Sequence, residues 1–195
     1  MESLKVIRRR IRSVTNTKQI TKAMEMVAAA RLRKAQMKLE ASRPYASKMQ
    51  EILENLSSVS GFVEHPLFKK RAVKKTLMLI ITSDRGLCGS YNTNLLSFTN
   101  SVLNQYSPNT VELGLIGRKG FDFYKRRAWP IRFNHLQYGG NISFLQIKEI
   151  TNQTVNLFLT GEVDEVLLIY TKFLSLITRK IAQEKFFAFL LEIIS

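Results

Sequence analysis

Side chains able to carry covalent or acid–base chemistry are few in this sequence and stand apart. Cys88 is the one cysteine, and His65 and His135 are the two histidines. A cysteine nucleophile needs a neighbour that lowers its pKa or takes its proton. Neither histidine lies near Cys88 in the chain, so Cys88 reads as a structural thiol. Histidine, cysteine and acidic residues do not recur at metal-ligand spacing, and the acids are too scattered for a carboxylate pair working as acid and base. The remaining candidate is Thr82-Ser83-Asp84-Arg85-Gly86-Leu87-Cys88-Gly89, which follows an apolar run. An open α/β sheet seats its ligands in such a loop. This one lacks Gly-x-Gly-x-x-Gly and the Gly-Lys-Ser/Thr ending of a phosphate loop, and Asp84 would repel a phosphate. Asp84, Arg85, Gly86 and Gly89 therefore read as a tight strand-to-helix turn whose glycines permit close backbone approach. The sequence predicts no catalytic residue, no cofactor and no metal.

The elements that would carry this turn follow from the hydrophobic pattern. Thr76 to Thr82 is a continuous apolar run, as in a parallel strand buried on both faces. Asn92 to Tyr106 read as a helix, Val111 to Ile116 as a strand closed by Gly117, and Arg118 to Arg127 as a short helix. A weak strand is expected within 130–138, an amphipathic helix over Ser143 to Phe158, and a strong strand over Glu165 to Thr171. Strand–helix alternation predicts an α/β fold, a Rossmann-like parallel sheet with helices on both faces. Its expected extent is 76–180, with a divergent apolar tail over 181–195.

Residues 1–57 are different. Between Glu2 and Ser57 there is no glycine and a single proline, Pro44, which predicts one long helix. At ~1.5 Å per residue it would span on the order of 80 Å. Ile7, Ile11, Val14, Ala28, Leu32, Ala35, Leu39 and Leu53 lie on a seam of three- and four-residue steps, half of a coiled coil. The same register places Lys18, Thr21 and Glu25 on the seam in the middle, so the helix changes what it touches there. A basic linker, 58–75, joins it to the sheet.

The 195-residue chain carries 30 Lys and Arg against 15 Asp and Glu, a net charge of +15. Such an excess calls for an acidic partner: nucleic acid, an anionic membrane surface or acidic protein loops. Through residue 50 the helix carries Lys5, Arg8, Arg9, Arg10, Arg12, Lys18, Lys22, Arg31, Arg33, Lys34, Lys38, Arg43 and Lys48, with Glu2, Glu25 and Glu40 opposing them. A basic helix can track phosphates, which keeps a nucleic-acid-binding α/β protein as the alternative reading. The apolar seam, and the lack of aromatic residues before Tyr45 for stacking on bases, favour protein partners. Charged residues occupy the start, where a signal peptide needs its apolar core.

Ile11-Arg12-Ser13-Val14-Thr15-Asn16-Thr17-Lys18-Gln19-Ile20-Thr21-Lys22-Ala23-Met24-Glu25-Met26-Val27-Ala28-Ala29 resembles the signature of the γ subunit of F-type ATP synthases. Ala41-Ser42-Arg43-Pro44-Tyr45 and Thr82 to Gly89 resemble it too, with weaker echoes at Ile116 to Gly120 and Tyr170 to Phe173. The resemblance covers about residues 2 to 180. It implies a non-catalytic central-stalk subunit that rotates inside a head of α and β subunits, near the ε subunit and the membrane c-ring. It also implies no small-molecule substrate, no nucleic acid, and a peripheral place on the cytoplasmic face of a bacterial plasma membrane. Carried over by motif, Lys18, Lys22, Met24, Glu25 and Val27 should meet the β subunits. The family's long C-terminal helix, partner of the seam, is not expected within these residues.

Overall fold

The computed structural model describes residues 4–58, 66–68, 71–139 and 142–187. The chain divides into two units, Met1–Leu56 and Ser57–Ser195.

The first unit is a single helix, α1, Leu4–Ser58, 55 residues long and unbroken at Pro44. Its length follows from composition, because Pro44 is the one residue in it that cannot donate to the helical ladder. At ~1.5 Å per residue it extends about 80 Å. The sequence-predicted seam is solvent-exposed: Ile7, Ile11, Val14, Leu32 and Leu39 all present their side chains to water, as do Ala28 and Ala35. The Leu53 side chain lies outside the described residues.

The second unit is built on one five-stranded sheet. Its elements are β1 (Thr76–Ile81), α2 (Tyr91–Leu103), β2 (Val111–Ile116), α3 (Arg118–Tyr124), β3 (Ile131–His135), α4 (Phe144–Leu159), β4 (Glu165–Phe173) and β5 (Arg179–Lys185), after a short 3-10 turn at Pro66–Phe68. The spatial order is β3-β2-β1-β4-β5. β1 to β4 are parallel, with Thr76 level with both Val111 and Glu165. β5 returns antiparallel along β4, pairing Leu167 with Lys185 and Phe173 with Arg179.

The apolar run of β1 divides between two cores because alternate side chains leave a strand on opposite faces. Met78 and Ile80 pack with Leu95, Leu103 and Tyr124 from α2 and α3. Leu77 and Leu79 pack with Leu157 and Phe158 from α4. All four β1 side chains are buried, each contributing about 2 kcal/mol of transfer free energy. Gly114 lets β2 pass between layers. A Cβ there would stand 2.5 Å from Leu79 Cδ2 and 2.8 Å from the Phe133 ring.

The sheet runs past the boundary expected at residue 180, which is a correction. β5 is polar, Arg179-Lys180-Ile181-Ala182-Gln183-Glu184-Lys185, and carries no run of apolar residues. It is an edge strand, where charge suits the free side and discourages pairing with other chains. Phe187, just beyond, is buried with its ring 4.7 Å from that of Phe158. From Ala188 onward the tail lies outside the described residues.

α4 starts on a reciprocal cap. Ser143 Oγ accepts from the Gln146 N–H, and Gln146 Oε1 accepts from the Ser143 N–H at 2.8 Å. Ser143→Ala removes one of these bonds and unseats the other. It is expected to lower the stability of the sheet unit by about 1 kcal/mol, read by urea unfolding followed through Trp129, which packs on the core.

Candidate functional site

Two regions hold the sequence-predicted site residues: the middle of α1, and the turn between β1 and α2. On α1, Lys18, Lys22, Met24, Glu25 and Val27 are all exposed. Lys22 Nζ reaches Glu25 Oε2 at 3.1 Å, with both side chains about two-thirds exposed. An exposed pair three residues apart contributes a few tenths of a kcal/mol. It therefore breaks readily when another charge approaches, and both groups are free to exchange partners. Thr17 and Thr21 fold their hydroxyls onto helix carbonyls, at 2.9 Å to Ser13 O and 3.0 Å to Thr17 O. Over this stretch the helix thus offers ammonium groups, one carboxylate and apolar Met24 and Val27, with no bulky aromatic. Chemically it can form weak, interchangeable ionic contacts.

The turn is built differently, as a fastened structure. Asp84 projects its carboxylate across the ends of neighbouring strands. Oδ1 accepts from the Arg118 N–H and the Gln137 N–H, both at 3.0 Å, and Oδ2 accepts from the Gly139 N–H at 3.1 Å. Burial draws this carboxyl upward, but the donors from Gln137, Arg118, Gly139 and Tyr138 outweigh it and hold the pKa below its ordinary value. Arg118 opens α3. The seat that a Rossmann-like sheet offers to an anionic ligand is thus filled by the chain's own carboxylate.

The rest of the turn is equally tied. Ser83 Oγ donates to Arg85 O at 2.6 Å. The Asn92 side chain accepts from Ser83 N–H at 3.1 Å and donates to Ser83 Oγ at 2.8 Å and to Cys88 Sγ at 3.1 Å. Cys88 is half-buried within this network. His135 Nε2 pairs with Gln153 Oε1 at 2.8 Å, and its ring stacks on Tyr138. His65 lies outside the described residues. Among the described residues no group of three His, Cys, Asp or Glu could hold a metal ion, and no helix is long and apolar enough to cross a membrane.

Neither Gly86 nor Gly89 makes the close backbone approach expected of it. Only the Lys119 side-chain tip comes near Gly86, at 3.8 Å, and Gly89 faces open space. Gly89 is needed for its conformation instead, φ +59. The close approach is at Gly117, where a Cβ would stand 2.2 Å from Thr82 O. Thr82 is buried there, its Oγ1 accepting from the Gly120 N–H at 2.8 Å. Thr82, Asn92 and Gly117 were not singled out as site residues. The one available signal was the pair of glycines after β2, three residues apart.

Comparison with known proteins places this geometry. The family model described as ATP synthase matches residues 3–193. The ATP synthase gamma chain of Protochlamydia amoebophila is 45% identical over 186 residues, covering 95% of this chain and 65% of the relative. That of Desulfitobacterium hafniense is 48% identical over 180 residues, covering 92% and 64%. The chain thus spans somewhat less than two-thirds of the length of these relatives. Among solved structures, it is similar to a chain of the Tetrahymena thermophila mitochondrial ATP synthase central stalk and c-ring. There the TM-score is 0.66 at 29% identity, covering 85% of this chain and 71% of that one. A chain of the Euglena gracilis mitochondrial ATP synthase shares the fold, with a TM-score of 0.63 at 17% identity. With its long basic helix, its mostly parallel sheet and a family match over nearly its whole length, the chain belongs to the ATP synthase gamma-chain family.

Proposed function

We propose that this chain serves as a non-catalytic central-stalk subunit of an F-type ATP synthase. In this reading it transmits rotation between a membrane c-ring and a head of α and β subunits, with an ε subunit beside it. Its place is peripheral, on the cytoplasmic side of a bacterial plasma membrane. The observation that carries the reading is the 55-residue α1, which leaves its basic groups and its seam from Ile7 to Leu39 exposed. An apolar stripe of that length has to be covered by a partner. The middle of the helix is suited to a different surface, one that slips. Weak charge pairs re-form at each step, whereas interdigitated side chains would hold it in place. The clamped turn agrees with a sheet unit that keeps its shape and handles no nucleotide itself.

The test is charge reversal. Lys18→Glu with Lys22→Glu replaces two attractions to acidic loops by two repulsions, at roughly 0.5–1 kcal/mol each. In a complex assembled with this chain, ion pumping per ATP hydrolysed is expected to fall about tenfold. Unfolding of the sheet unit should not move, since both lysines belong to the other unit. Unchanged coupling would sink the assignment of these residues to the β-facing surface.

A further inference from the structure

We propose that α1 is two stiff rods joined by a compliant turn at Leu39–Pro44. Two observations place the joint. Pro44 lies inside the helix and has no N–H, so the carbonyl of Glu40 loses its ladder donor. One carbonyl earlier, Leu39 O accepts from Ser42 Oγ at 2.8 Å, so the side chain competes with the backbone for it. Glu40 O thus has no ladder donor, and its neighbour Leu39 O is shared with a hydroxyl. The turn is exposed, as is nearly all of α1, so water can meet the freed carbonyl.

The flanks are built to resist bending. Residues 22–38 hold no proline or glycine, and they include Ala23, Ala28, Ala29, Ala30 and Ala35, the residue type with the best helix propensity. On the far side, residues 45–57 also hold no proline or glycine. Compliance therefore concentrates between these stretches. The use of such a joint in a rotating shaft rests on the stalk reading, but the joint itself does not.

The experiment measures distance distributions between spin-label pairs in the full chain, with Cys88→Ser so that only added cysteines are labelled. One pair, Arg12→Cys with Lys34→Cys, spans the Thr17 and Thr21 hydroxyl bonds to helix carbonyls but no proline, and so controls for such bonds. The other, Ala30→Cys with Ile52→Cys, spans the joint. Both pairs are 22 residues apart, about 33 Å of helix. The spanning pair is expected to give a distribution at least twice as wide. Pro44→Ala should narrow it to the width of the reference pair, and Ser42→Ala should narrow it part of the way. Equal widths in the unmodified helix, or a spanning width that Pro44→Ala leaves unchanged, would overturn the proposal. A failure of the stalk reading appears in the coupling assay and leaves these widths untouched.

Discussion

Gly117→Ala is expected to destabilise the sheet unit by about 3 kcal/mol or more. Two costs combine. Gly117 has φ +95, a conformation closed to L side chains at no cost, and its added Cβ would lie 2.2 Å from Thr82 O. That contact is with backbone at the end of β1, the central strand, so relief requires the sheet or α3 to move. Overpacking of this kind costs roughly 1–3 kcal/mol and backbone strain a further 1–3. At about 3 °C per kcal/mol for a unit of this size, the thermal midpoint should fall by roughly 10 °C. Gly139→Ala is the control. Its φ of +58 is also positive, but nothing lies within 4 Å of the added atom, so about 1 kcal/mol is expected. Equal losses for the two variants would show that conformation alone matters and that the close approach to Thr82 does not.

Asp84→Ala is expected to cost about 2–3 kcal/mol, since it strips acceptors from the backbone N–H groups of Arg118, Gln137 and Gly139 together. Asp84→Asn should cost about half as much. Its one carbonyl oxygen can serve two donors, while its amide would face the third. The pH dependence separates charge from shape. The folded carboxyl lies below its ordinary value of 3.8, so the folded state binds the proton less readily than the unfolded chain does. Its contribution is fully present above that ordinary value and is lost as pH falls through the folded pKa. The gap between wild type and Asp84→Asn in urea unfolding should therefore be wide at pH 7 and shrink steadily below pH 4. A gap constant over that range would assign Asp84 no electrostatic role.

Most of the fold was legible because its elements obey single, strong patterns. β1 and β4 are apolar runs bounded by turns, and α1 is long enough that the absence of breakers decides it. β3 was legible only as a weak strand, for it alternates half-buried and exposed side chains over five residues. β5 was missed for a physical reason. An edge strand pairs through its backbone on one side, and most of its side chains remain in water, so composition carries little trace of it. The turn was located correctly, but the wrong glycines were given the close approach. Positive φ and close approach both select glycine, and sequence alone does not separate the two. Asp84 read as a hindrance to phosphate, whereas what the structure adds is the carboxylate's own set of donors, supplied by residues 34 to 55 positions away. Such backbone donors leave no mark on residue type.

The reversal of β5 has a geometric consequence. Because β5 runs against β4, the chain leaves the sheet at the end where it entered, the amino ends of the parallel strands. Lys185 pairs with Leu167, which is level with Met78 near the start of β1. Only β4 lies between β1 and β5, so entry and exit are two strand spacings apart, roughly 10 Å. The start of β1 and the end of β5 therefore lie on one side of the sheet unit, close together and running in opposite directions.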